Sequence, residues 1–133
     1  MAALRVSDGR SRAIGLVRPV LAIEALAFTL ASLVHRGWIM AGYAHGAAAT
    51  AETVIAAALL TGLALSMIRP ARAQVVGLAV QAFALLGTLV GLFAVLRGFG
   101  PQTQADLVYH GVMVAALVAG LAAVARAGRP AAA

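Results

Sequence analysis

Four apolar segments, each about the length of a membrane-spanning helix, divide this chain almost from end to end. They cover about 19–35, 47–68, 75–96 and 106–125. A helix rises about 1.5 Å per residue, so roughly 20 apolar residues cross a hydrocarbon core of about 30 Å. In lipid the backbone must satisfy its own polar groups, and a helix does so within one segment. The pattern predicts an all-α fold, an integral membrane four-helix bundle in a single transmembrane domain. Composition excludes the soluble alternative. The chain has 133 residues, 63% hydrophobic and 11% charged, with a mean hydropathy of +0.99. A soluble domain is charged at about a quarter of its positions. So short a chain has too little interior to hide this much apolar surface from water.

The first segment is the shortest and carries Glu24. A cleaved secretory signal is its rival reading, given the basic start at Arg5, Arg10 and Arg12. Glu24 interrupts the apolar run that such a signal needs, so the segment is read as a span. Proline and glycine punctuate the rest. Arg69-Pro70-Ala71-Arg72 is a tight turn that makes the second and third spans antiparallel neighbours. Arg97-Gly98-Phe99-Gly100-Pro101 separates the third and fourth. Trp38 and Tyr43, in the first connection, suit a membrane–water boundary. The tail from Arg129 to Ala133 reads as frayed.

All ten basic residues are arginine, and they set an orientation. Arg5, Arg10, Arg12, Arg18, Arg69, Arg72, Arg126 and Arg129 fall on one side; Arg36 and Arg97 fall on the other. By the positive-inside rule the richer side is cytoplasmic, which places both termini of this multi-pass chain inside; in a bacterium that means the inner membrane, with the poorer side facing the periplasm. The net charge of +6 does not indicate nucleic acid, because the arginines sit at the ends of apolar runs rather than on one face. The lipid bilayer is the expected partner. Gly77, Ala84, Gly87 and Gly91 share one face of the third span, with Gly87–Gly91 a GxxxG pair. That face suits close packing inside the bundle, or else a homo-oligomer or a partner in a membrane complex. The absence of cysteine excludes thiolate chemistry by this chain.

The polar residues gather at two depths. The outer layer holds His35, His45, Glu52, Asp106, Tyr109 and His110, on three helices. Each has a local explanation: a basic last turn before Gly37, acids near helix starts, and a capping box from Thr103 to Asp106. Capping does not explain why Glu52 lies deeper than a cap requires, nor why Asp106 and His110 share a face at i, i+4 spacing. Ionisable groups at such depth face the bundle interior or a watery cavity. His35, Glu52 and His110, with Asp106 orienting His110, form a candidate site for a divalent metal. Haem between His35 and His110, or a quinone against Tyr109 and His110, are the other cofactors considered.

The inner layer is Glu24, Thr61 and Gln81. A charge in lipid costs a few kcal/mol, so Glu24 is expected against Gln81 or Thr61, as interhelical glue or as a proton-relay step. Ser32 and Ser66 have no base nearby in sequence, so a nucleophilic enzyme is not supported. A minimal transporter is disfavoured for want of paired broken helices.

Glu52 followed by Leu59-Leu60-Thr61-Gly62-Leu63 resembles the second helix of DoxX-like membrane proteins. Those are small bacterial four-helix inner-membrane proteins, some linked to quinone or sulfur redox chemistry. The resemblance implies the fold more than an activity. The functional expectation is a membrane protein with an outward-facing His/Glu/Asp site, redox-linked or metal-binding. The alternative is a structural or accessory subunit with no site of its own.

Overall fold

The computed structural model describes residues 2–100 and 102–127, and all of its regular structure is helical. Helix α1 spans Ala2–His35, α2 Gly46–Ile68, α3 Ala73–Leu96 and α4 Gln104–Ala127, with a 3₁₀ turn at Pro70–Arg72 between α2 and α3. Pro101 and residues 128–133, including Arg129 and the expected frayed tail, lie outside the described residues. So do the side chains of Arg5, Arg10 and Arg12.

The helix ends follow from local chemistry. Gly37 and Gly98 take positive φ, 73° and 80°. Each closes a helix by paired bonds: Gly37 N–H to Val34 O and Trp38 N–H to Leu33 O at one end, Gly98 N–H to Val95 O and Phe99 N–H to Ala94 O at the other. These are Schellman caps, which a residue with a Cβ would strain. The ring of His45 caps α2 by accepting from Ala48 N–H. Thr103 caps α4, its hydroxyl accepting from Asp106 N–H at 3.1 Å. Pro70 takes the first position of the 3₁₀ turn, where its missing N–H costs nothing.

Four segments are long and apolar enough to cross a membrane: Ile14–His35, Gly46–Ile68, Pro70–Leu96 and Gln104–Ala127. The second and fourth agree with the sequence reading within two residues. The first begins earlier than position 19, because α1 runs straight through Pro19. A proline in a membrane helix removes one bond without ending the helix when neighbours restore the packing. Here Val17 and Leu21, on either side of Pro19, are fully buried.

An apolar core that includes Leu21, Phe28, Leu59 and Leu117 fills the bundle, yet the outer surface is apolar too. Large apolar groups such as Ile23, Leu26, Leu86, Val112 and Val118 point outward on all four helices, as lipid permits. The buried set includes Glu24, Ser32, His35, Glu52, Gln81, Asp106 and His110. The glycine face of α3 is used within the bundle. A Cβ on Gly77 would strike Val17 of α1, one on Gly87 would strike Ile55 of α2, and one on Gly91 would press on His110 of α4. This is the small-residue packing expected of helices in lipid, and it draws three neighbours onto one helix.

Candidate functional site

The loops α1–α2 and α3–α4 lie at one end of the bundle, here the distal end; the α2–α3 turn marks the proximal end. Three helices deliver the distal polar residues to one place. His35 ends α1, Glu52 lies within the second turn of α2, and Asp106 lies in the first turn of α4. His35 bridges the two acids, with Nδ1 2.8 Å from Glu52 Oε2 and Nε2 3.0 Å from Asp106 Oδ1. All three residues are buried, none more than 6% exposed. With both acids ionised, His35 is an imidazolium donating from both ring nitrogens. Asp106 is also held by its cap, because the Thr103 hydroxyl donates to Oδ2. Beside the bridge, the Ser32 hydroxyl donates to Ala49 O at 3.0 Å and the Arg36 guanidinium donates to the Thr53 hydroxyl at 3.0 Å. Ser32 and Thr53 were not selected from the sequence, since isolated hydroxyls in apolar helices carry no spacing signal.

His110 joins this group differently from the sequence expectation. The Asp106 carboxylate turns toward His35, and it is the Asp106 backbone carbonyl that meets His110, at 2.7 Å from Nδ1. The capping bond to Thr103 and the approach of α1 aim the carboxylate across helices. The i, i+4 spacing is then served by the backbone instead. His35 has both nitrogens engaged, so neither is presented as an axial ligand for haem. Among the described residues no group of three His, Asp or Glu side chains is arranged to hold a metal ion.

Two cavities flank the bridge. The larger, about 220 Å³, lies between α2, α3 and α4; Phe28, Ile55, Gly87 and Thr88 form part of its walls, with Glu52, Tyr109 and His110 on its polar side and His45 beside Ala47 and Ala48 at the start of α2. The smaller, about 170 Å³, is lined by His35, Met40, Tyr43, Asp106 and Tyr109 among others. The expected single pocket is therefore two. Glu52 and His110 face one, His35 and Asp106 face the other, and Tyr109 stands between them. The Tyr109 hydroxyl is buried beside the Glu52 carboxylate, without a well-formed hydrogen bond to it or to any other described group. Its ring meets that of His110 edge to face, centroids 5.3 Å apart.

The proximal polar pair is simpler. Gln81 Nε2 donates to Glu24 Oε1 at 2.9 Å, which joins α3 to α1. Thr61 takes no part. It is exposed, and its hydroxyl donates back to Ala57 O. Ser66 likewise donates to Leu63 O.

No protein-family model, curated protein or solved structure matches the chain.

Proposed function

We propose that this chain is a multi-pass protein of a bacterial inner membrane, with its termini in the cytoplasm, whose larger distal cavity binds a small, largely apolar molecule. The observation that carries this reading is the cavity itself. Apolar walls with a few convergent polar groups are the usual form of a small-molecule site. Here those groups are Glu52 and His110. At about 220 Å³ the space suits a single ring or a short chain rather than a drug-sized ligand. Ala51 and Val90, which also line it, are exposed on the bundle surface, so entry from lipid is open. Behind Glu52 the bridge through His35 to Asp106 leads to the second cavity. An imidazole that takes a proton at one nitrogen and releases one at the other lets this bridge exchange protons with a bound molecule.

A neutral phenyl-diazirine photoprobe tests the binding reading. Crosslinks are expected to concentrate on residues 47–55 and 87–95, and Ala48→Phe, which fills the space, should suppress them. Labelling spread evenly over outward residues such as Leu26, Leu86 and Val112, and unchanged in Ala48→Phe, would remove the site. The orientation rests on the arginine asymmetry. A reporter fused after Ala133 is expected to be active only in a cytoplasmic format, and activity solely in a periplasmic format would invert it.

The accessory-subunit reading draws on a different observation. The His35 bridge ties α1, α2 and α4 together with both ring nitrogens occupied, as structural glue would. The photoprobe separates the two readings, since glue alone creates no preferred labelling position.

A further inference from the structure

The hydrogen-bonding capacity left in the larger cavity is almost entirely that of an acceptor. Nδ1–H of His110 donates to Asp106 O, which leaves Nε2 of the neutral ring as an acceptor. That atom makes no hydrogen bond to any described residue, and packing does not seal it. Glu52 commits Oε2 to His35; Oε1 makes no well-formed hydrogen bond and is not sealed, with the Tyr109 hydroxyl beside the carboxylate. Thr88 Oγ1 gives its proton to Ala84 O at 2.8 Å, so it too can only accept. The Tyr109 hydroxyl, a donor beside the Glu52 carboxylate, is closed off from the cavity space. His45 is the opposite case: Nδ1 accepts from Ala48 N–H, so the proton sits on Nε2, at the start of α2. A molecule that pairs with these polar groups must therefore bring a donor. A quinone carbonyl, itself an acceptor, finds no open donor among Glu52, His110 and Thr88; the His45 Nε2–H at the start of α2 is the donor it could meet.

Charge narrows the choice further. The bridge sets two carboxylates against one imidazole, so with both acids ionised it is net negative even when His35 is an imidazolium. Asp106 has further support from the Thr103 hydroxyl and from its place in the first turn of α4, where the helix dipole favours an anion. Glu52 has neither. It lies beyond the first turn of α2, which begins at Gly46, and it shares His35 with Asp106. No lysine or arginine lines the cavity, and Arg36 is directed to Thr53. A neutral hydroxyl would answer the need for a donor but leave the charge unmet. An ammonium group answers both, since charge-assisted bonds to a buried carboxylate are about twice as strong as neutral ones.

We infer that the cavity takes a small lipophilic amine as its ammonium ion, with the nitrogen placed between Glu52 and His110 and the apolar part against Phe28 and Ile55. This rests on the cavity being a binding site, as proposed above.

The test uses the full chain in a non-ionic detergent, titrated calorimetrically with three probes of one shape: phenethylamine, phenethyl alcohol and propylbenzene. The amine is expected to bind at least about tenfold more tightly than the alcohol. Glu52→Gln should abolish that preference while leaving alcohol and propylbenzene binding in place. An amine no tighter than the alcohol in the unmodified chain would overturn the inference, and so would a preference that survives Glu52→Gln. The three-probe comparison decides even if Glu52→Gln does not fold. Equal binding of all three, with diazirine labelling of the cavity intact, removes only the amine assignment. Failure of all three together with loss of that labelling removes the binding site as well.

Discussion

His35→Ala is expected to destabilise the protein by about 3–5 kcal/mol, the largest effect of any single distal substitution. The change removes the side chain that, among the described residues, hydrogen-bonds both Glu52 and Asp106. It leaves two buried acids, each lining its own cavity, among helices long and apolar enough to cross a membrane. Breaking a buried pair from one side costs far more than never having had it, because the remaining charge stays desolvated. The same logic gives a rescue. Glu52→Gln and Asp106→Asn, added to His35→Ala, remove the orphaned charges and should recover most of the loss. His110→Ala is the contrast: it gives up one neutral hydrogen bond to Asp106 O, worth about 0.5–1.5 kcal/mol, plus its packing on Gly91. Unfolding in mixed micelles, followed by circular dichroism, measures all of these. A loss below about 1 kcal/mol for His35→Ala, with no recovery in the triple variant, would show that the bridge does not hold the acids.

The bundle was legible because hydropathy and backbone satisfaction leave a helical chain few choices in lipid. Arginine and glycine positions placed the breaks, and the breaks placed His35, Glu52 and Asp106 at one depth. Depth along a helix is readable from counting; direction around it is less so. Thr61 and Gln81 were both at the right depth for Glu24, yet Thr61 is exposed, while its neighbour Gly62 is the residue that meets α3 at Val80. One residue turns a side chain by about 100°, enough to exchange core for lipid. Asp106 failed differently. Its i, i+4 relation to His110 was real, but the Thr103 cap and the arrival of α1 decided where the carboxylate points. Those are tertiary facts that no local spacing carries. The first apolar run is dense only from about position 19, while the helix continues on the other side of Pro19, where Val17 is buried as fully as Leu21.

Gly120→Ala is expected to cost at least about 1–3 kcal/mol, because it forces a methyl into the proximal polar pair. A Cβ at Gly120 would lie 2.4 Å from Gln81 Nε2, 2.8 Å from Glu24 Oε1 and 3.0 Å from Val20 Cγ1. Gln81 and Glu24 are buried and bonded to each other, so their side-chain ends can yield only by disturbing that pair. The shortest conflict is with the nitrogen that donates to Glu24. Displacing it strands Glu24, whose Oε2 already lacks a partner, inside the membrane, where an unpaired acid is expensive. Gly111→Ala is the control on the same helix. A Cβ there meets nothing within 4 Å, so its effect should be neutral or stabilising by up to about 1 kcal/mol through helix propensity. A double-mutant cycle locates the strain. In a Gln81→Ala background the closest conflict with Gly120→Ala disappears, and the coupling between the two changes should exceed about 0.5 kcal/mol. Additive costs would mean that α4 yields at this point without disturbing the pair. Equal effects of alanine at Gly120 and Gly111 would mean that α4 does not approach Glu24 and Gln81 closely enough for glycine to be required.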